Sequence, residues 1–575
     1  MREEEDEASQ PVQGYDAIVV GAGIGGLYAI HRLRQQGLTV LGLESAAGVG
    51  GVWYHNRYPG ARVDVESCEY CYHFSDPLFR EWKWTERYAA QPELLLYLNH
   101  VADRLDIRRH ILFETRMSGA TWHPEDAGYR VETSRGGRFT CRFLIMASGN
   151  LSAARKPDFP GLDDFAGEWV QTSHWPERPV AIAGRRIAVI GTGSSGVQTI
   201  PTVAAEAAHV HVFQRSPNYS VPASNGPPDE ERFQAIGADL AGKRARLMST
   251  RAGITSGLPP MLTYAEFDDA ERLQRLERQW AHGGQGMNRV FTDQGINQTV
   301  NDAVSEFVRG KIREIVKDPE VAERLSPRDH PIGSRRLCVD TDYYATYNRD
   351  NVTLVDLGTE PVERITETGI RTTAGHYEVD LIVFALGFDA FRGALDRAGI
   401  RNEAGARVTD RWDKGPRTLL GIMTSGFPNL FFLTGPGSPS VLSNMVLMNE
   451  EHANWVADLI GYMDSHRHEI VEAEATAEDE WGECVAEAAS QLLRLNVKNY
   501  MVHVNDDGSR AFMPYVGGMD RYAEISNRIA ADGYQGFRFS RVGADAAAGP
   551  AAYPTLDAAM ANPAANDAAA WPPVG

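Results

Sequence analysis

The sequence predicts an α/β protein with two strand–helix–strand domains and a helical insertion. Three observations carry that reading. The first is an internal echo. Asp16-Ala-Ile-Val-Val20 leads into Gly21-Ala-Gly23-Ile-Gly25-Gly26, an apolar-periodic run to Gln36, and Thr39 to Glu44. Arg186-Ile-Ala-Val-Ile190 leads in the same way into Gly191-Thr192-Gly193-Ser194-Ser195-Gly196, a run to about Ala208, and His209 to Phe213. The second observation is a pair of buried-strand runs ending in glycine, Leu144–Gly149 and Leu381–Gly387, each suited to close one of the two units. The third is the stretch between Pro217 and His330, where composition turns charged and helix-favouring, as in Phe267–Trp280 and Asn301–Lys317.

Each echo reads as strand, glycine turn, helix, strand. This is the Rossmann-like dinucleotide-binding unit, in which glycines permit the tight turn and the helix N-terminus faces a pyrophosphate. Two copies imply two dinucleotides. Glu44 closes the first unit, and an acidic side chain there accepts from ribose hydroxyls and repels a 2′-phosphate. The second unit has neutral Gln214 at that offset, followed by Arg215, whose planar fork suits such a phosphate. The first unit is therefore expected to hold FAD and the second NADPH. The expected layout is a leader 1–14, FAD domain 15–152, NADP domain 153–216, helical insertion 217–330, NADP domain 331–387, FAD domain 388–542 and a tail 543–575. The acidic leader and the Ala/Pro-rich tail lack hydrophobic periodicity and are expected to be disordered.

A formal net charge of −20 argues against nucleic acid or an anionic membrane as the main partner. No apolar run reaches membrane-spanning length, and the N-terminus is acidic rather than signal-like, so the expected location is cytoplasmic; the sequence leaves the oligomeric state open, with a monomer favoured. Five scattered cysteines cannot form a disulfide framework. Cys68 and Cys71 have Cys-x-x-Cys spacing without a second ligand pair nearby, so they read as packing residues and no metal is expected.

Further motifs identify a family. Gly50-Gly51-Val52-Trp53-Tyr54-His55-Asn56-Arg57-Tyr58-Pro59-Gly60-Ala61-Arg62-Val63-Asp64 is one. Phe165-x-Gly167-x-x-x-Gln171-x-x-x-Trp175-Pro176 is a second, and Ile332 to Tyr344 with the pair Arg335-Arg336 is a third. Gly435 to Ser443 and Phe512 to Tyr515 complete the set. From about residue 15 to 540 the chain resembles the Baeyer–Villiger monooxygenases among single-chain flavin monooxygenases. The resemblance places Val52, Trp53, Tyr54, His55, Tyr70, Met117 and Met445 along FAD, with Asp64 beside both the flavin and a catalytic Arg336. It assigns Arg62, Gln198, Arg215, Ser216, Arg335 and also Arg336 to NADP with the second glycine turn, and Val441, Leu442, Asn499 and Met513 to the substrate pocket. The sequence departs from the family at Gln171, where the interdomain motif has histidine, and at Asn499, where the mobile loop has tryptophan. Glutamine can hydrogen-bond but does not titrate near neutrality, which puts NADPH coupling in question.

The implied reaction is NADPH- and O2-dependent conversion of a ketone to an ester or lactone through a C4a-peroxyflavin. A permanently charged Arg336 would stabilise the developing oxyanion, an effect of about 3–4 kcal/mol in a water-poor site. Asp64 would orient it. The absence of polar clusters in the recognised pocket segments suggests a bulky hydrophobic cyclic ketone. Alternatives are an N- or S-hydroxylating monooxygenase, an uncoupled NADPH oxidase, a non-catalytic flavoprotein and a disulfide reductase. Ester product from a ketone separates the first reading from all of these.

Overall fold

The computed structural model of the protein describes residues 12–255 and 262–543. The expected leader to residue 11 and the tail from residue 544 lie outside them.

The Gln13–Val20 strand is central in an eight-stranded sheet, parallel to Val40–Leu43 on one side and to Arg138–Met146 on the other. Its Ala17-Ile18-Val19 run is wholly buried, as a parallel strand covered on both faces requires. The strand starts earlier than the expected boundary at Tyr15, because Gln13 and Gly14 pair with Phe139 and Thr140. The long partner strand continues there, and extending the ladder satisfies backbone groups whatever the side chains are. The far edge of Arg138–Met146 is shared. Its first residues pair antiparallel with Gly128–Thr133, and its last pair parallel with Leu430–Phe432 from the distant C-terminal part of the chain.

The second sheet has five parallel strands in the order Val352–Asp356, His209–Gln214, Arg186–Ile190, Leu381–Phe384 and Glu168–Gln171. Part of the motif expected as a linker is thus an edge strand. Val170 is buried, and Gln171 sits opposite Phe384.

The segment expected to be a helical insertion contains Glu230–Ala238, Leu240–Met248, Asp269–His282, Gln298–Ile315 and Pro319–Arg324. It opens with a strand, however. Ser220–Pro222 pairs parallel with Cys338–Asp340, tying the base of the insertion to the chain just after Arg336. Buried charges seat the insertion on the first domain. Glu69, with no exposed side-chain surface, pairs with Arg232 and Lys243, while Glu66 pairs with Arg87 and Arg232. Behind them the Met445–His466 helix packs along Ile24–Gln35, with Gly25 facing Asn449.

Candidate active site

Both glycine turns have the backbone that their sequence demands. Gly21 has φ +110° and Gly191 φ +111°, and a Cβ on either would lie 2.5 Å from the carbonyl oxygen of Ala147 or Ala385. Only glycine fits. Gly26 and Gly196 are kept small by their own turns, since a Cβ would press on the carbonyls of Gly21 and Gly191. Gly193 differs: nothing lies within 4 Å of its Cβ position. The following helices, Ile24–Gln35 and Ser194–Ala204, start at Gly23 and Gly193 without a side-chain cap and carry no acidic residue in the first turn. Their N–H groups remain available to phosphate oxygens. These residues therefore fit two dinucleotides.

Glu44 is buried at the end of its strand and accepts from the backbone N–H of Ala22 (2.7 Å) and Ala46 (2.8 Å). Gln214 is equally buried but turns away, donating to the Arg324 carbonyl at 2.8 Å. Arg215 is exposed beside Ser216, whose hydroxyl accepts from Arg335 at 3.0 Å. Arg335 also pairs with Asp329, an anion the sequence reading did not anticipate.

Arg336 and Asp64 meet from opposite halves of the chain. The Asp64 carboxylate accepts from Arg336 Nε at 2.9 Å and from Nη2 at 2.6 and 2.8 Å, while Nη1 donates to the Val441 carbonyl at 3.1 Å. The Asp64 charge raises the Arg336 pKa further, against the opposing effect of burial. Gln285, from the insertion, donates to Asp64 at 3.1 Å and to the Leu337 carbonyl at 3.1 Å. Asn288 in turn donates to Gln285 at 3.0 Å. Gln285 lies in Gly283-Gly284-Gln285-Gly286, a glycine cluster inside an otherwise helical stretch and a loop signal that the sequence reading passed over.

The pair borders a cavity of about 280 Å³ that Arg335, Val441 and Leu442 also line. Neither Asn499 nor Met513 lines it directly; Met513 is buried in the hydrophobic cluster of Val441 and Met501, which do. Asn499 instead folds its amide onto its own loop, donating to the carbonyls of Arg494 (3.2 Å) and Val497 (2.9 Å) and accepting from Met501 N–H (2.8 Å). Its neighbours Tyr500 and Met501 reach the cavity. Outside the recognised pocket segments, Arg251, Arg289 and Arg494 line the same space as apolar Ile254, Phe291 and Leu492.

The remaining predicted residues are distributed around this centre. Val52 to His55 form one helical turn, and Trp53 Nε1 donates to the Tyr70 hydroxyl at 3.3 Å. Met445 begins its helix behind the Asn444 cap. Met117 is buried in the hydrophobic cluster containing Leu41 and Leu43. The Arg62 guanidinium is drawn to Glu86 and the Tyr88 carbonyl. Gln198 spends both ends of its amide between domains, accepting from Tyr58 (2.8 Å) and donating to the Arg62 carbonyl (3.0 Å). In the interdomain motif, Phe165 lies over Gly167 and Gln171 donates to the Arg155 carbonyl at 2.9 Å. Trp175 is buried, and its backbone N–H donates to the His55 carbonyl. Cys68 and Cys71 are free, and burial pushes the Cys68 thiol up to about 12 and Cys71 well above its ordinary value. Protonated thiols of this kind are poor redox centres.

Two glycine-turn nucleotide domains joined over an arginine–carboxylate pair define a two-dinucleotide flavoprotein oxidoreductase. The family model described as pyridine nucleotide-disulphide oxidoreductase matches residues 18–235. A Baeyer–Villiger monooxygenase of Pseudooceanicola batsensis is 39% identical over 527 residues, covering 90% of this chain and 95% of its own. A steroid monooxygenase solved with NADP is 47% identical, with a TM-score of 0.87 over 92% of this chain and 99% of that one. The protein OTEMO, solved with FAD and NADP, is 38% identical, with a TM-score of 0.88 over 92% of this chain and 100% of that one. The chain belongs to the Baeyer–Villiger monooxygenases, the flavoenzymes that use FAD, NADPH and O2 to place an oxygen atom beside a ketone carbonyl.

Proposed function

We propose that the cavity takes a bulky cyclic ketone, that Arg336 is the catalytic cation acting on it, and that Asp64 is the positioning residue for Arg336. The observation that carries this reading is the two-point Asp64–Arg336 pairing at the cavity wall. Bound FAD, reduced by NADPH, supplies the oxygen-activating chemistry. Arg336 keeps its proton throughout the pH range of activity and can stabilise negative charge on the carbonyl oxygen as it develops. Asp64 fixes the plane of the guanidinium, and Gln285 fixes Asp64. Val441, Leu442, Phe291 and Met501 cover the space with apolar surface, which limits water and strengthens the charge interaction. A ring-sized substrate agrees with the cavity volume and with the steroid named for one relative. The reading keeps a cytoplasmic monomer, whose net charge of −20 opposes association between copies.

The test is Arg336→Ala in the FAD-loaded enzyme. Anaerobic reduction by NADPH should proceed, while ester formation falls by about 10²–10³-fold. Ester produced at the wild-type rate would remove Arg336 from catalysis.

A further inference from the structure

The carboxylates on the cavity wall are already committed. Asp64 serves Arg336, and Glu66 serves Arg87 and Arg232. Arg335, on the same wall, pairs with Asp329. Arg494 is left over. Half-buried on the wall, its guanidinium makes no hydrogen bond or ion pair among the described residues. A partly desolvated, unpaired cation is costly unless an anion joins it.

The surrounding loop fixes the backbone from which this side chain leaves. Leu493 to Asn496 form a helical turn, with Leu493 N–H on the Gly295 carbonyl and Arg510 donating to the Leu495 carbonyl at 3.1 Å. The Asn499 amide closes the turn by donating to the Arg494 carbonyl. Tyr500 sits near enough to act electrostatically on both Arg494 and Arg336, so Arg494 shares a chamber with the proposed reaction centre. Leu492 and Met501, on the same loop, add apolar wall for a hydrocarbon skeleton.

We propose that Arg494, pinned by the Asn499-closed turn, binds a carboxylate carried on the ketone substrate away from its reacting carbonyl. The planar guanidinium suits a carboxylate in two-point contact. This inference rests on the reading of the cavity as the ketone site.

The test uses FAD-loaded enzyme and two ligands of one skeleton, a cyclic ketone bearing a carboxylate side chain and its methyl ester. Binding is titrated through the flavin absorbance, independently of turnover. The wild type should bind the acid at least about tenfold more tightly than the ester, the scale of one charge-assisted hydrogen bond. Arg494→Gln should abolish that ratio, Arg494→Lys should retain part of it, and Asn499→Ala should reduce it. Equal affinity of the wild type for acid and ester would overturn the proposal. So would an Arg494→Gln variant that keeps the ratio, or one that instead weakens NADP⁺ binding to a similar extent, which would assign the arginine to a cofactor phosphate. Acid-selective binding with no ester product from any ketone would leave the anion site standing and overturn the proposed reaction site.

Discussion

Asp64 meets Arg336 with both oxygens, and Gln285 donates to one of the same oxygens. Asp64→Asn would remove the negative charge and one acceptor, leaving the guanidinium poorly aligned. Ester formation should then fall on the order of 10²-fold, the cost of misplacing a reacting group by about an ångström. Gln285→Ala keeps the ion pair and should give a smaller loss, visible as hydrogen peroxide released per NADPH consumed. A fully coupled Gln285→Ala enzyme would show that the ion pair needs no third partner. The sequence named Asp64 and Arg336 because each sits in a motif. Gln285 lies in a glycine-rich loop that the sequence marks, but only its approach to Asp64 reveals its role.

At the scale of the element, two of the three glycines of the second turn, Gly191 and Gly193, are held for different reasons. Gly191 is required by the fold, because a Cβ would strike the Ala385 carbonyl and φ is +111°. Gly191→Ala should cost about 1–3 kcal/mol of stability and lower Tm by several degrees. Gly193 faces open space. Gly193→Ala should leave Tm nearly unchanged and raise the KM for NADPH on the order of tenfold, as a methyl group displaces one phosphate contact. Equal effects of both changes on Tm would contradict this division. The glycine pattern is legible because the turn is local. The edge strand Glu168–Gln171 is not, since its identity depends on pairing with Leu381–Phe384 far along the chain.

Across the whole molecule, the insertion is held to the first domain by buried charge. Removing the charge of Glu69 would strand the buried Lys243 and leave Arg232 with Glu66 alone, so Glu69→Gln should destabilise by about 3–5 kcal/mol in chemical denaturation. Glu450 behaves differently. Burial pushes its carboxyl up to about 7, against the pull of Arg244 and the His73 N–H. Its folded pKa therefore exceeds its unfolded value of about 4.3. Between these values the native state binds more protons than the unfolded chain, so this group's contribution to stability falls as pH rises from about 4.5 to 7. Glu450→Gln should flatten that part of the Tm–pH profile, and an unchanged profile would count against the shift.

The sequence alone determined the two nucleotide units and the FAD and NADPH pair, and its resemblance to a family implied the reaction class. Glycine turns and the acidic residue closing a strand are short-range features whose physics is complete within a few residues. The tertiary structure decided what faces the substrate. Arg494 and Tyr500 from one loop and Gln285 from the insertion reach one chamber, while Asn499 turns inward to close its own loop. The direction of a side chain depends on which backbone groups nearby need partners, and those neighbours exist only once the chain has packed.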